Sequence, residues 1–185
     1  MSIGTLAIAL FIGWLAIEVA FLRPARDRSG SNIDDRSMAI LATSNMVLPL
    51  AAIAFYVGGL GDLGLSLAIR VAGVVVMLAG FATRWAGMWT LRRFFSANVA
   101  VQSDHRLIIQ GPYRWVRHPG YFGGWLGFVG FGIALGNAFA LILLTICTLP
   151  AFLNRIAVEE RALRGAFPEY TDYSVRVKRF LPLVW

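Results

Sequence analysis

The sequence is poor in the residues that most directly announce chemistry. One cysteine, Cys147, and two histidines, His105 and His118, are all that its 185 residues offer. A disulfide within the chain is excluded, and a His/Cys metal site has too few ligands to form. Cys147 lies inside an apolar run, where a thiolate is costly, so it reads as a buried structural thiol rather than a nucleophile. Charge is scarce too: 15% of residues are charged against 58% hydrophobic, with a mean hydropathy of +0.67. That excludes an ordinary soluble domain and leaves an all-α polytopic membrane protein. The net charge of +7 does not point to nucleic acid, because the basic residues flank apolar runs and no basic stretch interleaved with aromatics forms a platform. No basic segment precedes the first apolar run, which therefore reads as a helix of the mature protein and not a signal peptide. Polar groups are rare within the mid-membrane runs, which argues against a transporter.

What is present is a series of apolar runs. Residues 3–22, 38–60, 65–89, 120–135 and 138–152 predict five transmembrane helices. Glu18, about a turn from the end of the first, reads as a packed or snorkelling acid. Pro24 is expected to stop the first helix, Asp34 or Asp35 to cap the second, and Pro49 to kink it. The fourth run is glycine-rich, with Gly120/Gly124 and Gly123/Gly127 in the GxxxG spacing that lets helices approach closely. Gly136-Asn137 predicts a tight turn into the fifth helix. That helix, with a kink at Pro150, continues as an amphipathic segment through Arg164 and stops at Gly165. Residues 99–101 and 107–109 look like a small hairpin or re-entrant cover around Ser103-Asp104. Pro168 opens a last short helix, and Phe180-Leu181-Pro182 ends the ordered chain. Every basic residue except Arg70 falls on one side of this arrangement. The positive-inside rule makes that side cytoplasmic and puts the N-terminus outside.

The polar stretch LIIQGPYRWVRHPGY, Leu107 to Tyr121, lies on that side, as does the charged end of the fifth helix. Pro119 opens a helix and pushes His118 out of the α region, leaving His118 and Tyr121 at a helix N-terminus suited to a carboxylate. Gly111-Pro112 makes a turn ahead of Tyr113, whose ring suits a flat partner. The alternative for Tyr113, Trp115 and Trp125 is an interfacial aromatic belt. Arg155 and Glu159 share a helix face at i,i+4. Arg155 stands where the helix leaves the hydrocarbon, a place suited to an anionic head group whose tail stays in lipid. Glu159 either holds Arg155 or binds an amine or ribose. Glu160 and Arg164, also i,i+4, read as a surface pair.

At these residues the sequence resembles the isoprenylcysteine carboxyl methyltransferases, whose C-terminal core is shared with phospholipid N-methyltransferases. The resemblance lies in Leu107 to Tyr113, in Arg117-His118-Pro119-Gly120-Tyr121 with Gly123, and in Arg155, Glu159-Glu160 and Leu163. It continues through Phe167-Pro168-Glu169-Tyr170, Tyr173 and Arg179-Phe180-Leu181-Pro182. It implies one membrane domain over 1–185, with N-terminal helices in 1–98 and a methyltransferase core in 99–185. It implies S-adenosylmethionine in a cytoplasmic-face pocket closed by the C-terminal segment, in a bacterial or archaeal cytoplasmic membrane. By the resemblance, Gln110, Gly111, Pro112, Tyr113, Arg117, His118, Pro119, Tyr121, Glu159 and Glu160 bind the cofactor. Arg155 and Glu159 serve the acceptor, and no metal takes part. The acceptor is a lipophilic small molecule or lipid reached from the bilayer, most readily through a carboxylate. Ala157-Val158 stands where some eukaryotic members have more acidic residues, and the chain is shorter than theirs. A carboxylate acceptor needs no general base; an amine acceptor needs one, and Glu159 is then the candidate. The competing readings are an NADPH-dependent membrane reductase of the sterol-reductase type, which usually has Asn where Gly120 stands, and a non-enzymatic membrane scaffold.

Overall fold

A computed structural model describes residues 2–26, 35–91 and 107–182, and the structural statements below concern these residues. The helices are α1 (Ile3–Arg26), α2 (Asp35–Val57), α3 (Leu67–Leu91), α4 (Pro119–Leu135), α5 (Ala138–Ile142), α6 (Leu149–Ala166) and α7 (Tyr170–Arg176). Four segments are long and apolar enough to cross a membrane: Ile3–Ala20, Arg36–Val57, Leu67–Leu91 and Ala138–Ala166. α4, the remaining apolar helix of the expected five, has 17 residues, at the short end of what spans hydrocarbon. Ile12, Val47, Val75 and Ile146 are exposed on the outer faces, as a lipid-facing surface requires.

The packing follows from glycine. In lipid, apolar burial does not drive helices together, so close backbone approach and polar contacts must. Gly73, Gly80 and Gly87 repeat every seventh residue along α3 and face Gly120, Gly123, Gly127 and Gly130 of α4. A Cβ at Gly73 would stand 2.5 Å from the Ala134 nitrogen, and one at Gly80 would stand 2.7 Å from the Gly123 oxygen. Gly123 and Gly127 thus serve the interface, whereas Gly124 looks toward the Arg84 and Phe152 side chains at 3.6 and 3.7 Å. α1 seals the pair with aromatics: Phe11 stacks on Phe131 at 4.5 Å and Trp14 on Phe81 at 4.1 Å.

At one end, loop 58–66 is tied to the α4–α5 turn. Gly136 takes a left-handed φ of 63°, and Asn137 caps α5 by accepting from the Ala140 amide at 3.0 Å. Arg70 bonds Asp62 at 3.0 Å and the Leu135 carbonyl at 2.9 Å. The α3 C-terminus, the Gly111–Arg114 turn and the C-terminal segment gather at the other end.

Several expectations are corrected. α1 runs through Pro24 to Arg26, because so near its end a proline removes one bond of the last turn only. α2 continues through Pro49. Before Pro150 the backbone passes through a π-helical stretch, Leu143–Cys147, in which Trp125 Nε1 donates to the Thr145 carbonyl at 2.8 Å. Cys147 is exposed on this stretch, not buried, because its side of the run faces outward. α6 does not end at Gly165. It ends at Ala166, and Phe167 after it takes φ −127° and ψ 103°, since a residue before proline is driven to the extended region. Pro168 lies in the turn ahead of α7. The Asp34 cap and most of the hairpin expected around Ser103-Asp104 lie outside the described residues, as does the 98/99 boundary.

Candidate functional site

The site forms where α3 ends and α4 begins, against the middle of α6. Gly111 has a left-handed φ of 60°, and a Cβ there would lie 3.2 Å from Thr90 Oγ1, so glycine lets the chain turn against the end of α3. Pro112 starts a short 3₁₀ turn, Gly111–Arg114, that leaves Gln110 exposed and Tyr113 partly buried. The Tyr113 hydroxyl points to the Gly87 carbonyl at 3.4 Å. Burial raises the Tyr113 phenol well above its ordinary pKa, and the Glu159 charge adds to this, so it remains a neutral donor.

Pro119 begins α4, and His118 takes φ −126° and ψ 60°, outside the α region as its neighbour demands. Within the first turn, Tyr121 adjoins both Arg155 and Glu159. Arg155 is 1% exposed and donates from Nη1 to Ser37 Oγ of α2 at 3.0 Å. Tyr113, Tyr121, Arg155 and Glu159 are therefore brought together. Ser37 also lines a cleft of about 480 Å³ between α2 and α6. Its walls are apolar at Ile40, Pro150 and Ala151 and basic at Arg36 and Arg161.

A second group stands behind the first. Glu160 is 2% exposed, and its Oε1 receives Arg117 Nε at 3.0 Å, Arg117 Nη2 at 2.9 Å and faces His118 Nε2 at 3.3 Å. Its Oε2 meets Arg179 at 3.2 Å and Arg164 at 3.4 Å. Glu160 thus belongs to no surface pair: two other arginines, His118 and the fold over it bury the carboxylate. Arg117 goes on to the Ser174 carbonyl and, at 2.7 Å, the Val177 carbonyl, while its amide donates to the Lys178 carbonyl at 2.8 Å. Tyr173 donates to the Tyr113 carbonyl at 2.6 Å. Phe180, also buried, packs against Trp125 at 5.7 Å and Phe122 at 6.1 Å. This group clamps α7 and the C-terminal segment onto 111–118. Burial raises the Tyr170 and Tyr173 phenols above their ordinary value.

The two glutamates, alike in the sequence, are separated by the fold. Trp125 is a packing residue, and Trp115 is exposed with the Arg114 guanidinium 4.8 Å from its ring centre. Sequence reasoning missed Ser37 and the pairing of Glu18 with Arg84. The second had a signal: two opposite charges inside apolar runs, each near the same end of the bundle.

Apolar helices joined by glycine, with a buried ionic and tyrosine-lined site at one end, define an integral multi-pass membrane protein whose site is built by its C-terminal half. The family model described as the isoprenylcysteine carboxyl methyltransferase family matches residues 72–165, which include Arg84, Gln110 to Tyr121 and Arg155 to Glu160. The chain belongs to that family. It is 32% identical over 119 residues to a probable protein-S-isoprenylcysteine O-methyltransferase of Oryza sativa subsp. indica, covering 63% of this chain and 62% of that one. It is 33% identical over 117 residues to the protein-S-isoprenylcysteine O-methyltransferase of Saccharomyces cerevisiae, covering 62% of this chain and 49% of that one. The matched part of the chain thus spans 49–62% of these relatives' length. The solved eukaryotic intramembrane Ras methyltransferase superposes over 96% of this chain and 68% of its own, with a TM-score of 0.65 and 25% identity.

Proposed function

We propose that the protein transfers a methyl group from S-adenosylmethionine to the carboxylate of a lipophilic acceptor, a prenylated cysteine or an acyl-type small molecule. The reading takes the site end of the bundle as cytoplasmic and the N-terminus as outside, because the basic residues gather there. The observation that carries it is the meeting of Tyr121, Arg155 and Glu159 beside Tyr113 at the first turn of α4. Family membership supports the reaction class.

These residues fit the methyl donor. The first amides of α4 have no partner within the helix and suit its carboxylate. Tyr113 suits its flat base, with Gln110, Gly111 and Pro112 as the rim, and Glu159 suits its amine or ribose. Arg117, His118, Pro119 and Glu160 brace this wall from behind. The donor supplies a methyl already activated on a sulfonium, so a carboxylate oxygen forms the new bond to carbon as the carbon–sulfur bond breaks, leaving a methyl ester and a neutral thioether. The protein's task is alignment and exclusion of water. Arg155, itself desolvated, orients the acceptor carboxylate, and Tyr121 sets the guanidinium against Glu159. The α2–α6 cleft has apolar wall at Ile40, Pro150, Ala151 and Val158 and includes Ser37, to which Arg155 donates, and it suits the acceptor's chain.

The test is calorimetric binding of S-adenosylhomocysteine to the detergent-purified protein, beside NADPH, followed by turnover on carboxylate and amine amphiphiles with a labelled methyl donor. The expected result is binding of S-adenosylhomocysteine alone, weakened by Tyr113→Ala, and base-stable label on amines absent. Arg155→Lys, which loses the planar fork, is expected to lower turnover about 100-fold with the donor still bound. Binding of NADPH alone would replace the reading with a reductase. Transfer to amines alone would make Glu159 a general base.

A further inference from the structure

The first helix lies outside residues 72–165, and nothing in the motif-bearing stretches calls for it at the site. It nevertheless sends one carboxylate there. Glu18, 4% exposed, accepts at Oε1 from Arg84 Nε at 2.9 Å and from Arg84 Nη2. Arg84 Nη1 donates to the Gly120 carbonyl in the first turn of α4 at 3.1 Å. The same side chain passes 3.6 Å from where a Gly124 Cβ would be, and its charge reaches Tyr113. One guanidinium therefore touches α1 and α4 and faces the turn that carries Tyr113. Its three bonds leave two of its five donor hydrogens over.

Cohesion does not explain the pair. A buried ion pair roughly cancels its own desolvation, and an apolar pair of the same volume would hold the helices as well. The three helices are already joined by glycine contacts and by the stacked rings of Phe11, Phe131, Trp14 and Phe81. Glu18 Oε2 is moreover buried with no partner among the described residues, an arrangement that packing alone would not favour.

We infer that Glu18 is a positioning residue of the active site, acting through Arg84: it holds the guanidinium against the Gly120 carbonyl, where its charge favours an anionic group bound over the first turn of α4. Resting on the reading above, that group is the carboxylate end of the methyl donor. Without Glu18, Arg84 keeps its charge but loses two of its three bonds and the direction they impose.

The test separates cohesion from positioning. Glu18→Leu combined with Arg84→Met removes both charges at similar volume. Thermal unfolding of the full chain in detergent is expected to stay within a few degrees of wild type, while the S-adenosylhomocysteine Kd rises at least tenfold. Glu18→Gln is expected to raise the donor KM by a similar factor and leave the acceptor KM unchanged, with Glu18→Asp recovering part of the loss. A double variant that binds within twofold of wild type overturns the inference and leaves the methyltransferase reading intact. If the double variant does not fold, Glu18→Gln decides alone: equal changes in both KM values, or none, overturn the inference. Wild-type protein that binds no S-adenosylhomocysteine fails before any variant is made, and withdraws both.

Discussion

Replacing Glu160 by glutamine should free the C-terminal segment without loosening the helix bundle. The contacts are not equal. Arg164 has half of its side chain in solvent, so its 3.4 Å pair contributes about 0.3–0.5 kcal/mol. Arg179 is intermediate at 26% exposed. Arg117 is 9% exposed against a carboxylate 2% exposed, and breaking a buried pair from one side costs about 3–5 kcal/mol. Glutamine keeps the volume and one oxygen, which puts the cost at the lower end, about 3 kcal/mol, or roughly 150-fold in the equilibrium that docks the segment. Amide hydrogen exchange reads this directly. The Arg117 amide, bonded to the Lys178 carbonyl, and the Val177 amide, bonded to the Tyr173 carbonyl, should exchange about 150-fold faster. Amides in the middle of α3 and α4 should not change. Protection of Arg117 and Val177 within threefold of wild type would refute the clamp. A uniform loss over all helices would also refute it, by showing that Glu160 supports the whole bundle.

Three further outcomes follow from the same contacts. Gly123→Ala drives a Cβ to 2.5 Å from the Gly80 carbonyl and should cost about 1–3 kcal/mol by overpacking, whereas Gly124→Ala, with 3.6 Å to its nearest neighbour, should unfold in detergent at the wild-type temperature. Tyr173→Phe removes the bond to the Tyr113 carbonyl at a cost of about 1 kcal/mol, read by proteolysis of the C-terminal segment. Because burial raises the folded Tyr173 pKa, its contribution is fully present below the unfolded phenol value of about 10. It is lost as pH rises through the higher folded value, and the phenylalanine variant should lack that part of the alkaline loss. Asp62→Asn weakens an exposed pair with Arg70 and should shift stability by less than about 1 kcal/mol.

The membrane class, the helical hairpin at Gly136-Asn137 and the two charge-bearing stretches were legible because composition and turn chemistry are local. The charge asymmetry also put 107–121 and the charged stretch of α6 at one end of the bundle, and Tyr121, Arg155 and Glu159 do meet there. Partners across the bundle were not legible. The GxxxG spacings in α4 offered two pairs, and only the partner helix, with its glycines every seventh residue, decides that Gly123 and Gly127 face it. Adjacent glutamates on a helix point about 100° apart, so one reaches Tyr121 and the other Arg117, but which does which depends on how α6 is rotated. Arg179, some twenty residues on in a short motif, gave no sign of closing on Glu160.

The two ways of holding helices together here have different reach, and the site lies at their boundary. Glycine contact between α3 and α4 runs from Gly73 to Gly120, so a bulky residue anywhere along it pushes whole helices apart. The ionic clamp acts at one point, through bonds from a single carboxylate to side chains on the 117–118 loop, on α6 itself and on the C-terminal segment. Its failure is therefore local. Tyr113 belongs to both regimes: its hydroxyl reaches the Gly87 carbonyl of the glycine-packed helix, and its own carbonyl receives Tyr173 of the clamped segment. A ring held from both sides reports on either. Loosening the clamp should weaken whatever stacks on Tyr113 while the bundle stays folded, whereas prying α3 from α4 should cost binding and folding together.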